Sequence, residues 1–304
     1  MKFSLFFLLV FAFFSSTSYS QGCSDAGFCS LKYHGSKEEA GKSHKNSVTA
    51  GNIIGIADGN TFINGNWIGY SRQLSKRTFA DIKLSSNFAS GYLANNFNIG
   101  DITTSVSWVL NENKTKKSSW QALGGVKIPL TGSNDKAGGL PLPMAYQSSL
   151  GTFDLLLGVL YRKNNWEFTH AWQIPLSKTN KNSFFKEYAV TDEFLTTNKF
   201  GRKSDALLRA AYTLPQVNSW LSLKPNLLAI YHTANDTYED IFGNRQSIID
   251  SRGLTLNANI IATAKLNKRS SLDLSLATPF IVREIRPDGL TRSFTASLEY
   301  KISF

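Results

Sequence analysis

Between residues 293 and 304 apolar and polar side chains alternate without a fault. Phe294, Ala296, Leu298, Tyr300, Ile302 and Phe304 fall on one parity, and Ser293, Thr295, Ser297, Glu299, Lys301 and Ser303 on the other. Successive side chains of a strand point to opposite faces, so this pattern predicts a strand with one apolar and one polar face. The same period of two recurs at 254–266, 272–282, 153–161, 221–231, 102–110 and 120–130. It carries small faults at 206–214 and 166–176, and is weaker at 48–56, 62–74 and 79–86. The pattern predicts about twelve strands, the longer of which reach the roughly 9–11 residues that a tilted strand needs to cross a bilayer.

The connections sharpen this. Short turns are predicted at 75–77, 163–165, 215–219 and 267–270, with a slightly longer one at 111–118. Between them lie longer links at 87–100, 131–151, 177–204, 232–253 and 283–292. Short turns at one end and long loops at the other are the habit of outer-membrane barrels, whereas the Greek-key connections of a sandwich have no reason to alternate in this way. With an even strand count both termini lie at the same, periplasmic end. The predicted fold is all-β: a closed, antiparallel transmembrane barrel. Several apolar faces end in aromatics (Trp108, Trp120, Tyr161, Trp166, Tyr212, Tyr231, Tyr300 and Phe304), which suits girdles at the bilayer interfaces.

Both ends of the chain agree. Lys2 is followed by an apolar run at 3–14, interrupted only by Ser4, and then by small polar residues at 15–20. This is the layout of a secretory signal, with cleavage expected before Gln21. No later run is long enough for a transmembrane helix, so an exported chain of this kind meets a membrane through a closed barrel or a lipid anchor. The organisation read from sequence is a signal peptide at 1–20, a periplasmic tail or small plug at 21–47, and a barrel at 48–304. The last strand resembles the C-terminal strand of bacterial outer-membrane barrels. There Leu298, Tyr300, Ile302 and Phe304 would form the signal read by the barrel-assembly machinery, which places the chain in a Gram-negative outer membrane.

Composition adds less. Hydrophobic residues make up 42% of the chain, which suits a barrel or an ordinary soluble β protein. Of 33 basic residues Lys2 leaves with the signal, so against 22 acidic residues the mature chain carries a formal +10. Much of the surplus sits in predicted loops (Lys181, Lys186, Lys199, Arg202, Lys203), where contact with anionic outer-leaflet lipid is expected rather than with nucleic acid. Cys23 and Cys29 lie just after the expected cleavage point and predict a small disulfide loop in an oxidising compartment; lipidation of Cys23 is the competing reading.

If the apolar faces meet lipid, the opposite faces line the lumen. They bring in Asp81, Lys83, Asp101, Lys127, Asp154, Arg162, Glu167, Arg209, Lys224, Lys265, Asp273, Glu299 and Lys301, a nearly balanced set. Phe79, Leu123, Leu156, Leu160, Leu228, Ile230, Ile261 and Ile281 share that parity and make the interior amphipathic. Two uses stay open: a hydrated path, or a barrel cross-linked by ion pairs and packed shut. His34, His44, His170 and His232 lack any local nucleophile motif, and no phosphate loop, nucleotide fingerprint or metal cluster appears, so neither an enzyme nor a cofactor is predicted.

Residues 98–108 (NIGDITTSVSW), 122–132 (ALGGVKIPLTG) and 150–161 (LGTFDLLLGVLY) are similar to a known family. They resemble the outer-membrane proteins assigned to meta-pathway phenol degradation, distant relatives of the fatty-acid and aromatic-hydrocarbon transporters. The Gln21 start and the cysteine pair look like proteins of Bacteroidetes. The resemblance implies a passive channel for small amphipathic or aromatic molecules. A structural or adhesive barrel, using the loops at 177–204 and 232–253, is the alternative, and a lipid-modifying barrel enzyme is the next.

Overall fold

The computed structural model describes residues 44–177, 179–188, 193–215, 218–289 and 294–304. The predicted signal, the Gln21 cleavage point, Cys23, Cys29 and most of the 21–47 tail lie outside these residues. The strands are β1 (Asn46–Ala57), β2 (Thr61–Gln73), β3 (Thr78–Ser90), β4 (Asn95–Asn113), β5 (Ser118–Pro129), the short pair β6 (Lys136–Ala137) and β7 (Leu140–Pro141), β8 (Asp154–Lys163) and β9 (Trp166–Pro175). They continue with β10 (Asp205–Tyr212), β11 (Leu221–His232), the short pair β12 (Thr237–Glu239) and β13 (Arg245–Ser247), β14 (Gly253–Lys265), β15 (Ser270–Ile281) and β16 (Thr295–Ser303). Twelve of them close into one antiparallel barrel in the order β1-β16-β15-β14-β11-β10-β9-β8-β5-β4-β3-β2. Closure leaves no unpaired strand edge, the condition for a sheet to stand in hydrocarbon.

The alternation predicted from the sequence sets which face is which. On β2, Ile68 is 65% exposed on the outer wall while Ile63, of opposite parity, is fully buried inside. The outer wall is an apolar band: Leu84, Ile99, Leu208, Leu227, Leu274 and Leu298 all stand exposed on it. At its lower end the rings of Trp120 and Tyr161 lie 4.6 Å apart and those of Trp166 and Tyr212 4.8 Å apart, cross-strand neighbours in a girdle. At the lower end the first and last strands close the ring: Asn46 N donates to Phe304 O and Phe304 N to Asn46 O, at 3.1 and 2.9 Å.

Two expectations are corrected. The long link expected at 87–100 is mostly strand, because β3 and β4 stay paired up to Ser90 and Asn95 and only 91–94 turn. Polar Asn and Ser residues hid these strand tops from a reading by alternation. Ile281 was expected inside, but it is exposed on the outer wall. The register of β14 with β15 shifts at Leu256/Asn257, so that Ile281 pairs with outward Leu256 while Pro279 pairs with inward Asn257. One extra residue in β15 turns Ile281 to the other face.

The described parts of four connections at the upper end (130–153, 176–177, 179–188, 193–204, 233–252 and 282–289) fold back into the mouth. Ala57, Ile63 and Ala89, inward at the tops of β1 to β3, pack with Leu142, Tyr146, Phe184 and Phe194 of the loops. Behind them Met144, Leu150, Phe200 and Ile248 form a second apolar cluster between loops. Gly289 (φ 67°) lies so close that a Cβ would stand 2.5 Å from the Ala145 backbone.

Candidate functional site

The barrel interior divides into a closed upper mouth and an open lower lumen, and the thirteen charged positions expected to line the lumen divide with it. Asp101, Lys127 and Asp154 lie in the upper mouth. Lys127 stands opposite Asp154 across the β5–β8 ladder and reaches it at 3.0 Å; Asp101, on the neighbouring strand, is 3.4 Å away. The Ser85 hydroxyl fills the irregularity between β3 and β4, donating to Asp101 O and accepting from Asp101 N. Ser149 of a loop donates to the Asp101 carboxylate, and Gln173 of β9 to Asp154.

The loops complete this cluster. Arg202 is buried beside Asp205, at 2.5 Å, and Asp288, at 3.6 Å. His232, at the top of β11, lies between Asp205 (2.6 Å) and Asp236 (2.8 Å), so each ring nitrogen meets a carboxylate. Arg283 pairs with Asp288, lies 3.7 Å from Asp236, and donates to Ser251 O at 2.8 Å. The expectation that Arg202 sits in a solvated loop facing lipid is therefore wrong: it is 6% exposed, inside the mouth. Sequence reading also missed Asp205, Asp236, Arg283 and Asp288. The only trace they leave is charge packed around the ends of predicted strands. Burial acts most strongly on the Arg202 guanidinium and would lower its pKa, but Asp205 and then Asp288 outweigh it and raise the value further above the arginine range. Asp288 is likewise pushed upward by burial, yet Arg283 and Arg202 hold its carboxyl below the usual range.

Below the charged cluster Leu123, Leu156, Ala171, Leu207, Leu228 and Ile230 form an apolar patch inside β5 to β11. The other ten expected positions, Arg162 and Lys301 among them, lie on open space beneath and beside it. An upper chamber of about 240 Å³ touches Asp81, Lys83, Arg209, Asp273 and Glu299. A lower chamber of about 350 Å³ touches Glu167, Arg209, Lys224, Lys265, Asp273 and Glu299. The two chambers share Ser71, Arg209, Asn226, Ile261, Asp273 and Glu299, which mark the passage between them. Arg162 and Lys224 both reach Glu167, at 3.5 and 3.1 Å.

The balanced lumen expected from parity is not balanced along its length. The lower chamber meets eight Lys and Arg side chains and three carboxylates. Its cations include Lys301 of β16, Arg72 near the end of β2, Arg269 in the β14–β15 turn and Lys45 just before β1, beside His44. In the upper chamber two cations face three carboxylates. Such a gradient of fixed charge favours anions at the lower opening.

Trp67, absent from the sequence reading, lies in the wall of the upper chamber. Its indole N–H donates to Glu299 at 3.0 Å, and the Lys83 ammonium sits 4.4 Å from the ring centre. A lone Trp of inward parity was the available signal. His170, on the outer wall, is satisfied there: Nδ1 lies 3.2 Å from Leu207 O, and Nε2 is 2.9 Å from the donating Trp172 indole N–H. It borders an outer groove of about 510 Å³ between Trp120, Tyr161, Phe168, Leu208 and Leu227.

A solved structure shares this fold. An outer-membrane channel from Pseudomonas putida F1 superposes with a TM-score of 0.59 at 16% identity, covering 90% of this chain and all of that one. The CymD monoaromatic hydrocarbon channel gives 0.46 at 9% identity, covering 96% and 99% of the two chains. The KdgM porin gives 0.45 at 9%, covering 85% and 99%. No curated protein sequence matches the chain. A family profile described as "Putative MetA-pathway of phenol degradation" matches residues 55–295, most of the chain and nearly the whole barrel, and the chain belongs to that family.

Proposed function

We propose that the chain is a passive channel of a Gram-negative outer membrane for small aromatic or amphipathic molecules. The observation that carries this reading is the pair of connected chambers inside the closed barrel, one walled by Trp67 and the other ringed by cations. An indole face, Phe79 and Ile261 offer apolar contact, while Asn226, Arg209 and Lys224 offer polar contact, the mixture an amphipathic solute requires. Family membership supports an aromatic solute. The apolar band, the lower aromatic girdle and the signal-like start support the location, with outer-membrane lipid as the surrounding partner and the assembly machinery as the reader of Leu298, Tyr300, Ile302 and Phe304. Passage needs no covalent step. It does need the upper mouth to loosen, so the charged cluster under the loops acts as the gate.

The test is uptake into liposomes of an aromatic carboxylate, which crosses bare lipid slowly, beside an aliphatic carboxylate of similar size. The barrel should speed both, and Trp67→Ala should slow the aromatic solute more. Absence of flux and of conductance, with residues 21–43 present or deleted, would overturn the reading.

A further inference from the structure

Three asparagines form a polar island on the outer wall. Asn52 of β1 faces Asn66 of β2 across the ladder, and Asn64 of β2 faces Ile54. They share the outward parity of exposed Ile54, Ile56 and Ile68, which stand above and below them. Leu298 of β16 lies beside Asn52, and Phe88 of β3 beside Asn64. The island is thus within the apolar band, at the seam where the first and last strands close the barrel.

The amides bond to one another. Asn52 Nδ2 donates to Asn64 Oδ1 at 2.6 Å and to Asn66 Oδ1 at 2.8 Å, and Asn66 Nδ2 donates to Asn64 Oδ1 at 3.2 Å. Among the described residues this leaves the Asn64 amide protons and the Asn52 carbonyl without a partner. Other polar groups of the outer wall are settled differently. His170 uses both ring nitrogens, and the Thr104 hydroxyl donates to Asp81 O. Acyl chains carry neither donors nor acceptors, and an unmet amide at this depth is costly. The occupant that fits is protein. An amide is donor and acceptor at once, so the patch complements itself: Asn64 of one chain can donate to Asn52 of another while the reverse bond forms across the axis.

We propose that this face of β1 and β2 is where two copies of the chain meet in the membrane, with their asparagine clusters hydrogen-bonded across a two-fold axis and Ile54, Ile68 and Leu298 packed around them. The inference concerns assembly and stands apart from the solute carried, so it can fail while transport holds.

The experiment uses the full chain in native membranes, with Cys23→Ser and Cys29→Ser to remove the natural thiols. Asn66→Cys should give a disulfide-linked dimer several-fold more abundant than Leu208→Cys, which stands exposed on the far wall. The Asn52→Leu, Asn64→Leu, Asn66→Leu triple variant should lose the dimer mass in lipid nanodiscs while keeping heat-modifiable migration. Should that variant fail to fold, the cross-link at Asn66 decides alone. Equal cross-linking at positions 66 and 208, capture of a different protein by Asn66→Cys, or a dimer mass that persists in a folded triple variant overturns the proposal.

Discussion

Trp67 and Glu299 meet across an intervening strand. Trp67 belongs to β2 and Glu299 to β16; both pair with Gly51 of β1, which lies between them. The indole lies over the bare Gly51 backbone and donates to Glu299 Oε2 at 3.0 Å. A Cβ on Gly51 would stand 2.1 Å from the ring, so glycine is what lets the side chain cross the seam. Gly51→Ala should lift Trp67 off the wall, at a cost of about 1–3 kcal/mol in denaturant unfolding from lipid vesicles. The tryptophan emission of the folded barrel should change with it. An unchanged midpoint and spectrum would mean the ring has another resting place.

The loop cluster should respond to loss of one cation. Arg283→Gln takes a cation away from buried Asp288 and Asp236, and removal of one partner of a buried ion pair typically costs roughly 3–5 kcal/mol. Because the loops carry that cost, the barrel should stay folded while conductance in planar bilayers rises. Adding Asp288→Asn should recover part of the closed state. Equal conductance in all three proteins would show that the mouth is not gated there.

Acid should open the same mouth. The Asp288 carboxyl is held below the usual range, so its ionised form favours the closed state above the ordinary carboxylate value, and that support is lost as pH falls through the lower folded value. Open probability should therefore be flat through neutral pH and rise only well below about pH 4. Asp288→Asn should already be open more often at neutral pH and should show a smaller acid rise.

Fixed charge at the lower opening sets ion preference. With eight cations against three carboxylates, reversal potentials under a salt gradient should report anion selectivity. Lys224→Glu and Lys265→Glu should each move the channel toward cations, and the double variant further. Lys136→Glu, on the outer hairpin away from the lumen, should leave it unmoved.

Phe304 closes the ring through its backbone bonds with Asn46, whose side chain in turn accepts from the Tyr70 hydroxyl at 2.8 Å. Deleting Phe304 should lower the yield of heat-modifiable barrel in the membrane several-fold. Normal yield would remove the C-terminal residues from the assembly signal.

The sequence by itself determined a closed barrel of about twelve strands and most of its inward and outward parity. Those features are local: a strand alternates its side chains, and a wall between lipid and lumen prints that alternation on the chain. Irregularity already strained the reading, since one extra residue in β15 turned Ile281 outward and the polar tops of β3 and β4 read as loop. Only the tertiary structure decided which charges meet. Lys127 and Asp154 share the parity of Lys224 and Glu167, yet the first pair is sealed under loops and the second lies on open space. Arg202 and Asp288 are 86 positions apart and come together because two long connections fold into the same mouth. The Trp67–Glu299 bond needs barrel closure before it exists at all. Periodicity records which face a residue takes; what it touches there depends on register, closure and the path of the loops, none of which has a local signature.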